Sequence, residues 1–129
     1  MKTSYYSQAA FLDWRKYYLV AISVTQPDWI EVDNMIHVLM PGSKWLWDLK
    51  KGRISFGKYS ELYLDQCNTY LETIKERIDE VKEEAGDREV VLLCWEKDRT
   101  QCHRQLFANW WESITGEKVD ELNVKSESL

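Results

Sequence analysis

The chain has 129 residues, the length of one ordinary domain. Hydrophobic residues make up 44% of the chain and charged residues 30%, a balance that argues against disorder. The net charge is −5, and tight nonspecific binding of duplex DNA needs many cations, so we do not expect it. No apolar run is long enough to span a membrane, and no apolar signal core follows the N-terminus. We therefore expect one cytoplasmic domain over residues 1–129, with no membrane partner.

Three short apolar runs predict buried strands, because they are rich in β-branched residues and are bounded by turn signals. The first covers residues 18–24 and ends before Pro27. The second covers residues 35–40 and stops at Pro41. The third, over residues 89–94, has the clearest pattern.

Apolar residues at spacings of three and four predict helices between and after these strands. We expect a short helix over 44–51 and a second over 56–68 with Ser55 as its N-cap. In a third helix, Thr69 and Glu72 form a capping box and Gly86 provides the C-terminal cap.

The last predicted helix begins at Thr100, as its N-cap, and ends at Gly116. Residues 120–129 form a polar, acidic tail, whose last five residues we expect to fray. Buried strands that alternate with amphipathic helices predict an α/β fold. We expect a single layered domain with a small, largely parallel sheet flanked by helices.

The densest polar segment, residues 94–104, lies where a buried strand ends and a helix begins. Ligands of open α/β sheets bind at the carboxyl ends of strands, and the first turn of a helix favours an anion. A helix start stabilises the thiolate of Cys102, and His103 carries protons near neutral pH. Glu96 is suited to act as an acid or a base. We therefore treat Cys102, His103 and Glu96 as candidate catalytic residues.

The same segment is expected to bind an anionic ligand. Arg104 lies one helical turn after Thr100, so its guanidinium can return to the helix start and contact a phosphate or carboxylate. Trp95 is expected to stack on a base. The candidate ligand-binding residues are Cys94, Arg104, Thr100, Ser4, Tyr5, Ser23 and Trp95.

Residues 92–97 read Leu-Leu-Cys-Trp-Glu-Lys and residues 102–104 read Cys-His-Arg. This pattern resembles the signature of the domain-of-unknown-function 488 family, a strand ending in Leu-Leu-Cys-x-Glu, a short loop, and Cys-His-Arg at a helix start. Residues 3–6, 20–23 and 39–41 and the pair Tyr59 and Tyr63 resemble the family more loosely. Val24 departs from it, because a basic residue is common there. The resemblance implies a fold and a site but no reaction, since the family has no agreed activity.

Three functions remain open. The first, which we favour, is a binder of an anionic small molecule or nucleotide, with cysteine as a nucleophile and histidine or glutamate as its base. The second is a nucleic-acid-associated module, in which residues 50–53 bind phosphates and tryptophans stack on single-stranded bases. The third is a structural or interaction domain in which the Cys-His-Arg cluster only holds the fold together.

We expect no metal and no other cofactor. Cysteine and histidine suit zinc, but the chain has no Cys-x-x-Cys pair. Adjacent Cys102 and His103 would also point in different directions on a helix. Glycine-rich nucleotide loops are absent from the sequence as well.

Overall fold

A computed structural model of the chain describes residues 1–122 and contains a five-stranded, all-parallel sheet with five helices. The strands are β1 (Lys2–Tyr5), β2 (Tyr17–Ala21), β3 (Asn34–Met35), β4 (Glu89–Cys94) and β5 (Asp120–Glu121), in the spatial order β3-β2-β4-β1-β5. The helices are α1 (Tyr6–Ala9), α2 (Ser43–Lys50), α3 (Phe56–Thr69), α4 (Leu71–Ala85) and α5 (His103–Thr115). The α/β fold with a parallel sheet is confirmed.

Strand β4 is the centre of the sheet, as its continuous apolar sequence predicts. It pairs in parallel with β1 on one side and with β2 on the other. Cys94 lies opposite Tyr5, and Leu93 lies opposite Ala21. The predicted placement of the end of β4 beside β2 is therefore confirmed.

Side chains of β2 and β4 alternate between the two faces of the sheet. The face that α3, α4 and α5 cover carries Tyr18, Val20, Val90, Leu92 and Cys94. The face that α1 covers carries Tyr17, Leu19, Ala21, Val91 and Leu93. This alternation turns Cys94 toward α3 and α5.

The strand predicted over 35–40 is wrong for most of its length. Only Asn34–Met35 forms a strand, and His37–Leu39 forms a turn of 3-10 helix. Side chains of α3 bind the carbonyl groups that a strand would use, because Tyr63 donates to Leu39 O at 2.8 Å and Gln66 donates to Met40 O at 2.7 Å. The backbone is thus satisfied without a neighbouring strand.

Two strands were not predicted, β1 next to the central strand and β5 at one edge of the sheet. β1 is short and contains the buried polar residues Thr3 and Ser4, so it lacks an apolar run. β5 has two residues and lies in the segment predicted as an acidic tail. The expected fraying of the last five residues lies outside the described residues. Within residues 1–122, no helix is long and apolar enough to cross a membrane.

The N-terminal caps predicted for α3 and α4 have different outcomes. Ser55 caps α3 as expected, and its Oγ accepts the Lys58 N–H at 3.0 Å. The capping box of Thr69 is wrong, because Thr69 Oγ1 donates to Asp65 O at 2.8 Å within α3. Tyr70 occupies the N-cap of α4 without a side-chain hydrogen bond.

Replacing Ser55 by alanine should therefore lower the free energy of unfolding by about 1 kcal/mol, because the first turn of α3 loses its acceptor. Thr69→Ala is the matched control and should change that free energy by less than about 0.5 kcal/mol. Urea denaturation of both variants measures the difference. Equal losses would contradict the assigned caps.

Candidate functional site

Three titratable side chains meet where β4 ends and α5 begins. Cys94 is the last residue of β4, and His103 is the first residue of α5. Cys102 is the N-cap of α5, with an extended backbone at φ −129° and ψ 146°. The ligand atoms of the three residues lie within 4.8 Å of one another, and all three residues are buried. We call Cys94, Cys102 and His103 the thiol cluster.

The predicted N-cap, Thr100, is wrong. Thr100 lies in a turn of 3-10 helix over Arg99–Gln101, and its N–H donates to Asp98 Oδ1 at 3.0 Å. The N-cap of the helix lies two residues later than expected, at Cys102. Because Cys102 precedes the helix in an extended conformation, its side chain and that of His103 converge instead of diverging.

One hydrogen bond fixes the ring of His103. Nε2 lies 2.6 Å from Ile22 O, and a carbonyl oxygen only accepts, so Nε2 donates and carries a proton. Nδ1 lies 3.8 Å from Cys94 Sγ and 3.8 Å from Cys102 Sγ, and Nε2 itself is nearer to Cys94 Sγ, at 3.4 Å. In the neutral ring with its proton on Nε2, Nδ1 is the atom that can accept a hydrogen bond from a thiol.

The pKa values of the two cysteines in the thiol cluster are shifted in opposite directions. Cys94 lies at the floor of the site, and burial raises the pKa of its thiol well above the usual value. The S–H of Cys94 donates to Cys102, which lowers the pKa of Cys102 well below that of a free cysteine. His103 lowers the pKa of Cys102 further, against the opposing effect of burial. The pair thus favours one thiolate, on Cys102, over two thiols.

The thiol cluster also offers donors that suit a soft metal ion. Two thiolates and one imidazole are three of the four ligands of a tetrahedral zinc site. The donation from His103 Nε2 to a carbonyl is typical of metal-bound histidine. Within residues 1–122, no fourth His, Cys, Asp or Glu joins the group, so a metal held here would keep an open position.

The thiol cluster forms the floor of a cavity of about 290 Å³ at the carboxyl ends of β2 and β4. Most of the remaining walls are apolar or aromatic, and they come from α2, α3 and the two loops that follow β2 and β4. The lining outside the cluster is Ser23, Val24, Thr25, Pro41, Ser43, Leu46, Trp47, Leu49, Lys50, Tyr59, Trp95, Glu96 and Gln101.

Two exposed tryptophans form part of these walls. Trp47 of α2 is 59% exposed, and Trp95 is 44% exposed. Trp95 is held in place because its Nε1 donates to Thr25 O at 2.7 Å, and its ring meets Tyr6 edge to face. The cavity therefore presents aromatic surface to solvent beside the sulfurs of the thiol cluster.

Arg104 does not line the cavity, and its expected contact with an anion is not what the structure shows. Its side chain is fully buried, and its Nε and Nη2 donate to the carboxylate of Glu121 at 3.0 and 2.8 Å. Its Nη1 donates to Glu96 O at 2.5 Å, and Nη2 also donates to Lys97 O at 3.3 Å. The guanidinium is thus used to join α5, the preceding loop and β5.

The other predicted site residues divide into two groups. Ser23, Trp95 and Glu96 line the cavity with the thiol cluster. Ser4, Tyr5 and Thr100 do not line it. Ser4 Oγ donates to Gln8, and the ring of Tyr5 lies 5.8 Å from the Arg104 guanidinium.

Sequence reasoning missed several residues of the site. Tyr6 shares a hydrogen bond of 2.5 Å with Ser23 Oγ, and burial raises the pKa of Tyr6 to about 12. Burial also raises the pKa of Tyr59, which lies in the cavity wall. The spacing of Tyr59 and Tyr63 on one helical face was a usable clue, whereas nothing in the sequence singled out Lys50 as a wall residue.

Glu121 is the partner on which the buried charge of Arg104 depends. Glu121→Ala should lower the free energy of unfolding by about 3–5 kcal/mol, because it leaves a buried cation without its anion. Asp120→Ala, on the same strand, is the control. Asp120 pairs with Lys2 at 3.9 Å on the surface, so its loss should cost about 0–1 kcal/mol. Similar losses in thermal or urea denaturation would contradict the assigned role of Glu121.

Comparison with known proteins gives one match. A family model described as Domain of unknown function DUF488 matches residues 40–111, more than half of the chain. No curated protein and no solved structure matches the chain. The matched segment contains the whole thiol cluster and Arg104, but it leaves out Ile22 and Glu121, which position them. The chain belongs to the DUF488 family of domains of unknown function.

Proposed function

We propose that the protein binds a small anionic molecule in the 290 Å³ cavity and acts on it with Cys102 as the nucleophile. The observation that carries this proposal is the position of His103, with Nδ1 3.8 Å from Cys102 Sγ and Nε2 anchored on Ile22 O. An activated nucleophile needs a base within reach and a third group that orients the base. Here the group that orients the base is a backbone carbonyl, Ile22 O.

The charges around Cys102 support a nucleophilic thiolate. The Cys94 thiol and His103 lie directly against its sulfur, and the buried Arg104 guanidinium adds positive charge from α5. Tyr6, Tyr59 and Tyr63 are titratable groups that interact with the sulfurs, and Glu96 lines the same cavity. The three tyrosines stay neutral, because burial raises their pKa values.

The cavity indicates the class of ligand. Its volume is at the small end of the range for ligand pockets, so it suits a small molecule rather than a long chain. Trp47 and Trp95 provide flat apolar surface for a ring. Among the described lining residues, Lys50 is the cation and Glu96 the carboxylate. We infer a ligand with one anionic group, a phosphate or a carboxylate, that lies toward Lys50.

Glu96 is exposed at the rim of this cavity. Its backbone is fixed, because its carbonyl accepts from Arg104 Nη1. We propose that its side chain acts as an acid or base toward the part of the ligand that extends to solvent. Its negative charge would also repel ligands with a second anionic group.

The alternatives have less support. One observation favours nucleic-acid binding, because Lys51 lies 5.9 Å from the ring of the exposed Trp47. Against it, Arg53 of the same basic segment is already paired with Asp48. The structural alternative accounts for Arg104, whose guanidinium joins three parts of the fold. A purely structural role does not explain why a cavity is lined by two thiols and an imidazole whose orientation is fixed.

The pH dependence of alkylation tests the nucleophile. Iodoacetamide should modify Cys102 at a rate that stays constant through the neutral range, because a lowered pKa keeps the thiolate present until the pH falls to that pKa. Cys94→Ala and His103→Gln should each move the inflection upward, toward the free-cysteine value of about 8.5. Cys67→Ala, outside the thiol cluster, should leave it unchanged. An inflection at or above the free value in the unmodified protein would exclude a nucleophilic Cys102.

The charge preference of the cavity can be tested with two alkylating agents of similar size. Iodoacetate is anionic and iodoacetamide is neutral, so the ratio of their rates at Cys102 reports attraction of an anion. Lys50→Ala should lower this ratio about fivefold, the equivalent of ~1 kcal/mol for one exposed charge pair. Lys51→Ala is the matched control, since Lys51 lies against Trp47 and does not line the cavity. Equal ratios in both variants would refute an anion position at Lys50.

A further inference from the structure

We infer that the protein reduces a small-molecule disulfide bound in the cavity. Cys102 attacks the disulfide, and Cys94 is the resolving thiol, which displaces the mixed disulfide on Cys102 and leaves a Cys94–Cys102 disulfide in the protein. This inference rests on the proposed function, because Cys102 must first act as a nucleophile. It adds a reaction, a substrate class and a second reacting residue.

The positions of the two sulfurs permit the bond. Cys94 Sγ and Cys102 Sγ lie within 4.8 Å of each other, whereas a disulfide requires a separation of about 2.05 Å. Neither residue lies in the interior of a helix, since Cys94 ends β4 and Cys102 is an extended N-cap. Rotation of the two side chains about their Cα–Cβ bonds is the movement that closes the remaining distance, while Arg104 keeps its bonds to the loop between the two cysteines.

His103 is placed to serve both cysteines in turn. Its Nδ1 is 3.8 Å from Cys94 Sγ and 3.8 Å from Cys102 Sγ. The ring cannot turn away without losing the bond from Nε2 to Ile22 O. With its proton on Nε2, the ring has Nδ1 as its basic atom, and Nδ1 lies within reach of both thiols even though Nε2 is nearer to Cys94 Sγ, at 3.4 Å.

In the first step, the thiolate of Cys102 attacks one sulfur of the bound disulfide. The sulfur–sulfur bond of the small molecule breaks, and one of its halves leaves as a thiolate. The other half stays on Cys102 as a mixed disulfide.

In the second step, Nδ1 of His103 takes the proton of the Cys94 thiol, and the resulting thiolate attacks Cys102 Sγ. The mixed disulfide breaks, and the second half leaves as a thiolate that receives the proton from His103. Two electrons pass from the protein dithiol to the small molecule, which becomes two thiols. A thiol reductant of the same small-molecule class returns Cys94 and Cys102 to the dithiol form.

The third cysteine, Cys67, lacks the neighbours that the proposed reaction requires. Cys67 is buried in α3 and does not belong to the thiol cluster. Burial raises the pKa of Cys67 to about 12. It should stay unmodified in the folded protein and provides an internal control.

The test uses dithiobis(nitrobenzoate), an aromatic disulfide with carboxylate groups that matches the tryptophan walls and Lys50. The reaction is run on the folded, reduced protein with a chelator present, so that no metal masks the sulfurs. Released thionitrobenzoate is measured by absorbance, and the product is weighed by intact-protein mass spectrometry. The unmodified protein should release two thionitrobenzoates and retain none, with a disulfide that peptide mapping places between Cys94 and Cys102.

Cys94→Ala should release one thionitrobenzoate and retain one on Cys102, because no resolving thiol is left. Cys67→Ala should behave like the unmodified protein. The comparison does not depend on either variant, since the mass of the unmodified product already distinguishes a protein disulfide from a stable adduct.

A stable adduct on Cys102 of the unmodified protein would overturn the resolving role of Cys94 and leave the proposed nucleophile in place. Adducts on both cysteines would overturn it in the same way. Failure of Cys102 to react in the folded protein would contradict the proposed function and this inference together.

Discussion

The buried guanidinium of Arg104 is the constraint on which the site depends. A charge without solvent costs several kcal/mol unless it is paired and hydrogen-bonded, and Arg104 meets this requirement with Glu121 and the carbonyls of Glu96 and Lys97. The planar guanidinium binds the carboxylate through two nitrogens while it still reaches the loop, which the ammonium group of a lysine could not do. Cys102 and His103 directly precede Arg104, so the same contacts fix their positions at the start of α5.

Adjacent residues of the Cys-His-Arg segment therefore have different roles, one structural and one at the cavity. Arg104 holds the loop and β5 together, away from the cavity. Cys102 and His103 line the cavity, where Ile22 O accepts a hydrogen bond from Nε2 of the imidazole. Parallel pairing of β2 with β4 makes this possible, because it brings the ends of both strands to the same edge of the sheet. A buried anchor beside Cys102 and His103 fits the catalytic role that we propose for them.

Local patterns predicted the strand that ends in Cys94, because a long buried apolar run has few alternative structures. They also placed the candidate site at the end of this strand, but they did not predict that the side chains of Cys102 and His103 converge. They did not predict the partner of Arg104. Glu121 lies in a two-residue edge strand within a polar tail, a segment too short to show a strand pattern. The role of Ile22 was equally hidden, since a backbone carbonyl is the same in every residue. The N-cap moved to Cys102 because Asp98 caps a separate turn just before the helix, a choice that local propensity does not determine.

We propose that Cys102 is a thiolate in the folded protein, stabilised by Cys94 and His103. Thiolates absorb in the ultraviolet where thiols do not, so a pH titration of this absorbance detects the thiolate without any added reagent. We expect one thiolate per folded protein at neutral pH, which disappears in Cys102→Ser and persists in Cys67→Ala. Absorbance that appears only at alkaline pH, or that is unaffected by Cys102→Ser, would contradict it.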